Sequence, residues 1–341
     1  MRKITGSGLV VLMSCLLLGC PAEKQAPEVG FYYWKSTFRL SPAEQSILAR
    51  NQVRRIYTKF LDVDIEQGQP VPKAPIRFEG ATYQQFEIVP CIFITNRTFK
   101  AGVDPVELAQ RVWAYLQEIN TTYELVPKAY QLDCDWSLRT RSAYFTFLRA
   151  FRRQAGDCQI TATIRLHQLQ YASQTGVPPV DRGVLMYYNM GNIQSVEEPN
   201  SILNHETAAT YLAATASYAL PLDYALPVFS WVLAYRLGEL HAIVNQSPCT
   251  ALDTLAAAEK LLANRYRMQR NAYFGNHYLN RGDQLRCESV SKYDLAEAID
   301  QLKSLDNDCE QLLFYHLDES NFHEFSQDLP LRLADRLVLP Q

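Results

Sequence analysis

Segments spaced like β-strands alternate with segments spaced like helices along nearly the whole chain, and this alternation limits the fold more than any other feature of the sequence. Strands are expected over residues 31–34, 55–61, 87–95, 129–136, 159–167 and 183–189, with a seventh inside 218–231 and an eighth over 311–317. Helical patterns fall between them at 42–51, 105–120, 141–155, 205–216, 251–265 and 294–305. Ser41-Pro42-Ala43-Glu44 and Asp104-Pro105 have the form of helix starts, a capping side chain followed by proline at the first helical position. Such alternation gives a parallel sheet, closed or open. Polar and aromatic residues collect at the C-terminal ends of nearly all the strands, where a closed barrel places its site, so the expected fold class is α/β, a (β/α)8 TIM barrel. The stretch from about 232 to 307 exceeds what one connection needs and reads as an insertion between the seventh and eighth strands.

The start of the chain obeys different rules. Arg2 and Lys3 precede a largely apolar run from Leu9 to Leu18, the layout of a secretory signal and too short to span a bilayer comfortably. Leu17-Leu18-Gly19-Cys20 resembles the lipobox of bacterial lipoproteins, in which cleavage falls before the cysteine and its thiol takes a diacylglyceryl group. The resemblance implies a signal peptide at 1–19, lipidation of Cys20, a linker at 20–30 and a barrel at 31–341, held outside the cytoplasm on a lipid bilayer. Pro21 rather than Asp follows the cysteine, which resembles lipoproteins sent on to the outer membrane of Gram-negative bacteria.

The 341-residue chain is 48% hydrophobic and 20% charged, a globular composition, and its net charge of −3 with scattered basic residues argues against nucleic acid as a partner. Twenty tyrosines, with 4 Trp and 15 Phe, supply rings that fill a core and also stack on sugars. Of the eight cysteines, Cys15 belongs to the signal and Cys20 to the lipid. Cys91, Cys134, Cys158, Cys249, Cys287 and Cys309 remain, able to bridge in an oxidising compartment in pairings that spacing does not fix. Cys91 and Cys134 fall inside expected core strands and read as buried thiols. No pair has the spacing of a zinc site and no Gly-rich phosphate loop occurs, so neither metal nor cofactor is expected.

The segment that carries chemistry is Leu132-Asp133-Cys134-Asp135-Trp136-Ser137. Residues two apart in a strand face the same side, so Asp133, Asp135 and Ser137 are expected to point into the barrel, with Cys134 and Trp136 toward the helices. Two carboxylates facing one interior repel each other and need partners or a task. Arg139, Arg141, Lys59 and Arg182 read as counter-charges. The segment resembles the later part of the fourth-strand motif Asp-x-x-Asp-x-Asp-x-Glu of the family 18 glycoside hydrolases, which include chitinases. Leu185-Met186-Tyr187-Tyr188-Asn189 is similar to that family's sixth-strand Met-x-Tyr-Asp or Tyr-Asn, and Leu220-Pro221-Leu222 is placed like its Gly-Leu-Pro. The resemblance implies that Tyr188 and Asn189 hold the N-acetyl group of a sugar and that Asp133 and Asp135 belong to the reaction centre. It departs where the family has its proton-donating Glu, because this chain has Ser137. A serine cannot donate that proton usefully, and loss of general acid catalysis costs a factor of roughly 10²–10⁴. Glu288, Asp223 and Asp318 are the candidates for a substitute acid.

Arg165 and His167 fall on one face of the expected fifth strand, and His316 and Asp318 on one face at the end of the eighth. All four are candidate ligand-binding residues, with Trp231 as a ring that could stack under a sugar. The expected function is that of a membrane-anchored barrel that acts on or binds a glycan at its mouth. The alternative is a non-catalytic envelope lipoprotein that binds a protein partner or scaffolds an assembly.

Overall fold

The computed structural model describes residues 25–213, 218–245, 248–305, 307–322 and 325–339. The signal and lipidation segment, Cys20 included, lies outside the described residues. Eight parallel strands build the central sheet: β1 (Glu28–Tyr33), β2 (Arg55–Glu66), β3 (Glu87–Ile94), β4 (Ala129–Asp133), β5 (Gln159–Arg165), β6 (Arg182–Met186), β7 (Leu222–Pro227) and β8 (Gln311–Tyr315). Each pairs with the next, and β8 returns to β1 with Leu312 opposite Val29, so the sheet closes on itself. The expected (β/α)8 barrel is the fold the chain adopts.

Local chemistry explains why the elements form where they do. β6 and β8 are runs of residues buried on both sides, Val184-Leu185 and Leu312-Leu313-Phe314, as a sheet covered by helices requires. Gly30 belongs to the crowded interior, since a Cβ there would lie 2.6 Å from Leu313 Cδ2. Ser41 caps the helix Pro42–Arg50 in a reciprocal capping box with Glu44. Asp104 accepts from the amides of Val106 (2.7 Å) and Glu107 (3.2 Å) to start Pro105–Thr122. The helix Arg141–Ala155 buries Tyr144, Phe147, Leu148 and Phe151 at helical spacing, and truncating such a buried ring costs about 3–5 kcal/mol.

Between β7 and β8 the chain forms a second sheet, antiparallel, with strands in the order Glu239–Asn245, Trp231–Arg236, Gln284–Glu288, Arg265–Met268 and Ala258–Leu262. It has its own small core around Val232, Leu252, Met268 and Leu285, and a disulfide joins Cys249 to Cys287 across it. The helix expected over 251–265 is therefore broken into a short helical turn and the strands of a hairpin. Only Thr250–Asp253 is helical, because the apolar alanines and leucines that suggested a long helix are shared between a short turn and a hairpin. Cys91 and Cys134 are buried free thiols.

Four strands stop two or three residues sooner than expected, β6 among them, which ends at Met186 and leaves Tyr188 and Asn189 just past it. β4 ends at Asp133, β5 at Arg165 and β8 at Tyr315, so Asp135, Ser137, His167, His316 and Asp318 all lie on the connections that follow. After Asp133 the chain turns, Trp136 N donating to Cys134 O at 2.9 Å. After Arg165 a helix begins at once, with the Gln168 side chain accepting from Arg165 N.

Candidate active-site cavity at the barrel mouth

A cavity of about 220 Å³ opens at the C-terminal end of the barrel. Tyr32, Trp34, Phe93, Tyr188 and Tyr315 supply its rings, and Asp133, Asp135, Thr163, Arg165 and Asn189 its polar groups, with Met186 beside them. The barrel explains the gathering: the lining residues stand on or just past six of its parallel strands, so groups distant in sequence converge at one rim. Of the sequence-derived candidates the cavity thus brings together Asp133, Asp135, Arg165, Tyr188 and Asn189.

The two aspartates sit in different surroundings. Asp133 is buried and accepts the Thr163 hydroxyl at 2.6 Å. Burial, with the neighbouring Asp135 charge, pushes its carboxyl up to about 6. Asp135 is half-exposed and gripped by Arg165 through two nitrogens, Nη2 to Oδ2 at 2.7 Å and Nε to Oδ1. Paired, fork-on-carboxylate geometry of this kind fixes both side chains in direction as well as in charge. Arg165 is thus the counter-charge for the acids. Lys59 pairs with Asp62 (3.0 Å), Arg182 pairs with Asp223 (2.9 Å) and Glu310 (3.0 Å), Arg141 donates to Gln174 O, and Arg139 is exposed.

The aromatic wall is packed and ordered from below. Tyr188 stacks on Tyr315, ring centroids 5.4 Å apart, and Tyr315 meets Trp34 at 5.5 Å. Beneath them the Tyr32 hydroxyl and the Gln131 amide are hydrogen-bonded, with Gln131 Nε2 donating at 2.8 Å. Burial drives the hydroxyls of Tyr32 and Tyr188 well above the usual tyrosine range, so both stay protonated donors. Asn189 holds φ of 54°, a left-handed conformation that asparagine tolerates better than most residues, and its amide donates to Ile202 O at 2.7 Å.

The other candidates lie elsewhere. Glu288 is fully buried against Arg286 (2.6 Å) and also accepts from Ser201 N (3.0 Å), Ser201 Oγ (2.6 Å) and Trp231 Nε1 (2.6 Å). Those donors hold Glu288 away from the cavity, which it does not line, so its expected role as substitute acid is corrected to a structural one. Trp231 goes with it: its indole N–H is committed to Glu288 and its ring packs edge-on against Phe229 at 5.3 Å. Asp223 is buried in its pair with Arg182 and accepts from the amides of Glu310 and Gln311, at the opposite end of the barrel. Asp318 pairs with Lys35 (2.9 Å) and accepts from Ser320 N and Oγ. Burial pulls its neighbour His316 below the usual histidine range, and among the described residues His316 Nδ1 has no hydrogen-bond partner. His167, one residue into its helix, is exposed. Ser137 does not point in with the aspartates: its amide donates to Thr140 Oγ1 (2.9 Å), and its hydroxyl lies 3.1 Å from the same atom.

Sequence reasoning missed Tyr32, Trp34, Phe93, Thr163 and Tyr315. The signal was present for Tyr32 and Trp34, two apart at the end of β1 and so on one face, and for Thr163, two before Arg165 on β5. Among the described residues no cluster of His, Cys, Asp and Glu could hold a metal ion, and no helix is long and apolar enough to cross a membrane.

No protein-family model matches the chain, and no curated protein matches it by sequence. Solved structures do match in three dimensions. The Bacillus cereus spore cortex-lytic enzyme SleL superposes with a TM-score of 0.56 at 13% identity, covering 92% of this chain and 75% of that one. A chitinase from Chromobacterium violaceum gives 0.57 at 10% identity, over 91% of this chain and 99% of that one. A mutant class V chitinase from Nicotiana tobaccum in complex with NAG4 gives 0.52 at 10% identity, over 92% and 99%. At such identities the likeness shows a shared (β/α)8 fold.

Proposed function

We propose that this chain is a lipid-anchored barrel outside the cytoplasm that binds a glycan carrying N-acetyl groups at its mouth and does not cleave it. The observation that carries the reading is the composition of the mouth cavity. Five aromatic side chains surround a buried Asp133 and an Arg165-paired Asp135, while Ser137 stands where the resemblance calls for a proton donor. Rings for stacking and fixed polar groups for hydrogen bonds are what a sugar site uses. Cleavage asks in addition for a carboxylic acid poised at the glycosidic oxygen. Glu288, Asp223 and Asp318 are each tied into pairs away from the cavity. The NAG4 complex of the tobacco chitinase supports an oligosaccharide of N-acetyl sugars as the first probe.

The anchor reading rests on Leu17-Leu18-Gly19-Cys20 and is supported by the Cys249–Cys287 disulfide, a bond that persists in oxidising compartments. An outer-membrane location follows from Pro21 after the lipidated cysteine. The test is calorimetric titration of NAG4 into the acylated chain in detergent, beside Asp135→Ala, with mass analysis of the sugar afterwards. Binding that weakens at least tenfold in the variant, with NAG4 recovered intact, is the expected result. Shortened NAG4 would make the chain an enzyme, and absence of binding would turn the reading toward a protein partner.

A further inference from the structure

We propose that the barrel mouth is directed away from the bilayer that holds Cys20, so that its ligand is a glycan standing off the membrane and not the headgroup of a lipid in the same bilayer. The inference deepens the reading above and rests on its lipid attachment.

All eight strands run in one direction, so their N-terminal ends form one face of the barrel and the mouth forms the other. The chain enters at the first of these. Gln25 and Pro27 lie against it, lining a cavity of about 310 Å³ with Arg55 from the start of β2 and Cys309 and Gln311 from the approach to β8. Pro27 is buried, Glu28 N donates to Glu310 O at 2.8 Å, and Gln311 Nε2 donates to the Glu28 carboxylate at 3.2 Å. The entering segment is therefore seated on the N-terminal face by residue 25, and only five peptide units separate Gln25 from Cys20. Whatever path they take, five units reach at most about 18 Å.

That reach is short against the body it would have to pass. β3, with eight residues, rises roughly 20 Å along a barrel axis from which strands tilt by about 36°. Outside the sheet stands a layer of helices about 10 Å thick. A tether bringing the mouth to the bilayer would have to clear that layer and then climb the barrel, about 30 Å in all. The antiparallel sheet of residues 231–288 leaves from the C-terminal end of β7 and adds bulk at the mouth end. The N-terminal face therefore stays beside the lipid, and a headgroup in the same leaflet cannot enter the cavity.

Val126 and Leu138 flank β4 at its two ends and are 89% and 61% exposed, which makes them reporters for the two faces. The full acylated chain carrying Val126→Cys or Leu138→Cys is labelled with a fluorophore and placed in phosphatidylcholine vesicles doped with a nitroxide-lipid quencher, and the signal of native thiols is subtracted with the unsubstituted chain. The Val126 label is expected to be quenched several-fold more than the Leu138 label. Equal quenching, or stronger quenching at Leu138, overturns the orientation. Mass analysis showing no acyl group on Cys20 overturns the anchor and this inference with it. Loss of NAG4 binding with the quenching pattern intact would instead sink the glycan reading and leave the orientation standing.

Discussion

Arg165 holds Asp135 by two nitrogens of one guanidinium, and from the same position it opposes the rise that burial imposes on Asp133. One cation thus holds Asp135 in place and is felt at Asp133. Replacing it by Met keeps much of the side-chain volume and removes the charge, so Asp135 is left to repel Asp133 uncompensated. The Asp133 carboxyl, already at about 6, is expected to climb further in Arg165→Met. A carbon-13 NMR titration of the aspartate carboxyls reads this directly, and an unmoved midpoint would show that the guanidinium is not felt at Asp133.

Asp133 also gives stability a defined dependence on pH. Its folded value of about 6 lies above the ordinary aspartate value, roughly 3.9 in an unfolded chain. The folded state therefore keeps a proton that the unfolded state releases between about pH 4 and pH 6. Stability from this group is fully present below about pH 4 and is lost as pH rises through 6, by roughly 3 kcal/mol for a shift of about two units. Asp133→Asn removes the titration while keeping an acceptor for Thr163, so its stability relative to the parent should rise by that order between pH 4 and pH 8. Urea midpoints of both proteins at the two pH values check it, and parallel behaviour would mean that Asp133 is ionised without cost.

The barrel was legible because its signal is periodic and long-range order follows from it: eight buried strands spaced by helices have few closed solutions. The site was legible only in part. Asp133, Asp135, Arg165, Tyr188 and Asn189 converge because each stands at or just past a strand end, which sequence can place. His167, His316 and Asp318 were assigned to faces by a period of two, and that rule ceases to apply once pairing stops at Arg165 and Tyr315. Tyr315, the last paired residue, takes the place in the cavity that His316 was expected to hold. Glu288 failed for a different reason, since a carboxylate near a mouth in sequence carries no mark of the Arg286 waiting beside it in the fold.

The Arg286–Glu288 pair gives that correction a test. Both side chains are fully buried, and removing one partner of such a pair strands the other at a cost of about 3–5 kcal/mol. Glu288→Ala should therefore lower the thermal midpoint by several degrees and leave NAG4 affinity at low temperature unchanged. A variant of parental stability with altered sugar binding would return Glu288 to the site.

The disulfide belongs to the same sheet and should protect it locally. Cys249 and Cys287 are separated by 38 residues, and closing a loop of that length is worth about 4 kcal/mol in the chain-entropy account. The double variant Cys249→Ser, Cys287→Ser is expected to exchange amide hydrogens faster across residues 231–288 while β1 to β6 keep their protection. Uniform loss across both sheets would show that the barrel depends on the bridge as well.

Ser137 allows the sharpest question about cleavage, because a single residue there separates this mouth from the motif it resembles. Its amide is fixed by Thr140 Oγ1, which in turn lies 2.6 Å from Asn96 Oδ1, so the backbone that would carry a new side chain is already held in place two residues beyond Asp135. A glutamate at this position restores the acid of the motif that the segment resembles, and general acid catalysis contributes roughly 10²–10⁴. Ser137→Glu should accordingly release product from NAG4 under conditions in which the parent leaves it intact. Asp135 would still be tied to Arg165, and freeing it in the pair Ser137→Glu, Arg165→Met should raise the rate again if that carboxylate must turn toward the N-acetyl group. Release by neither variant would separate the polar groups of this mouth from cleavage altogether and leave capture as what Asp133, Asp135 and Arg165 are arranged to do.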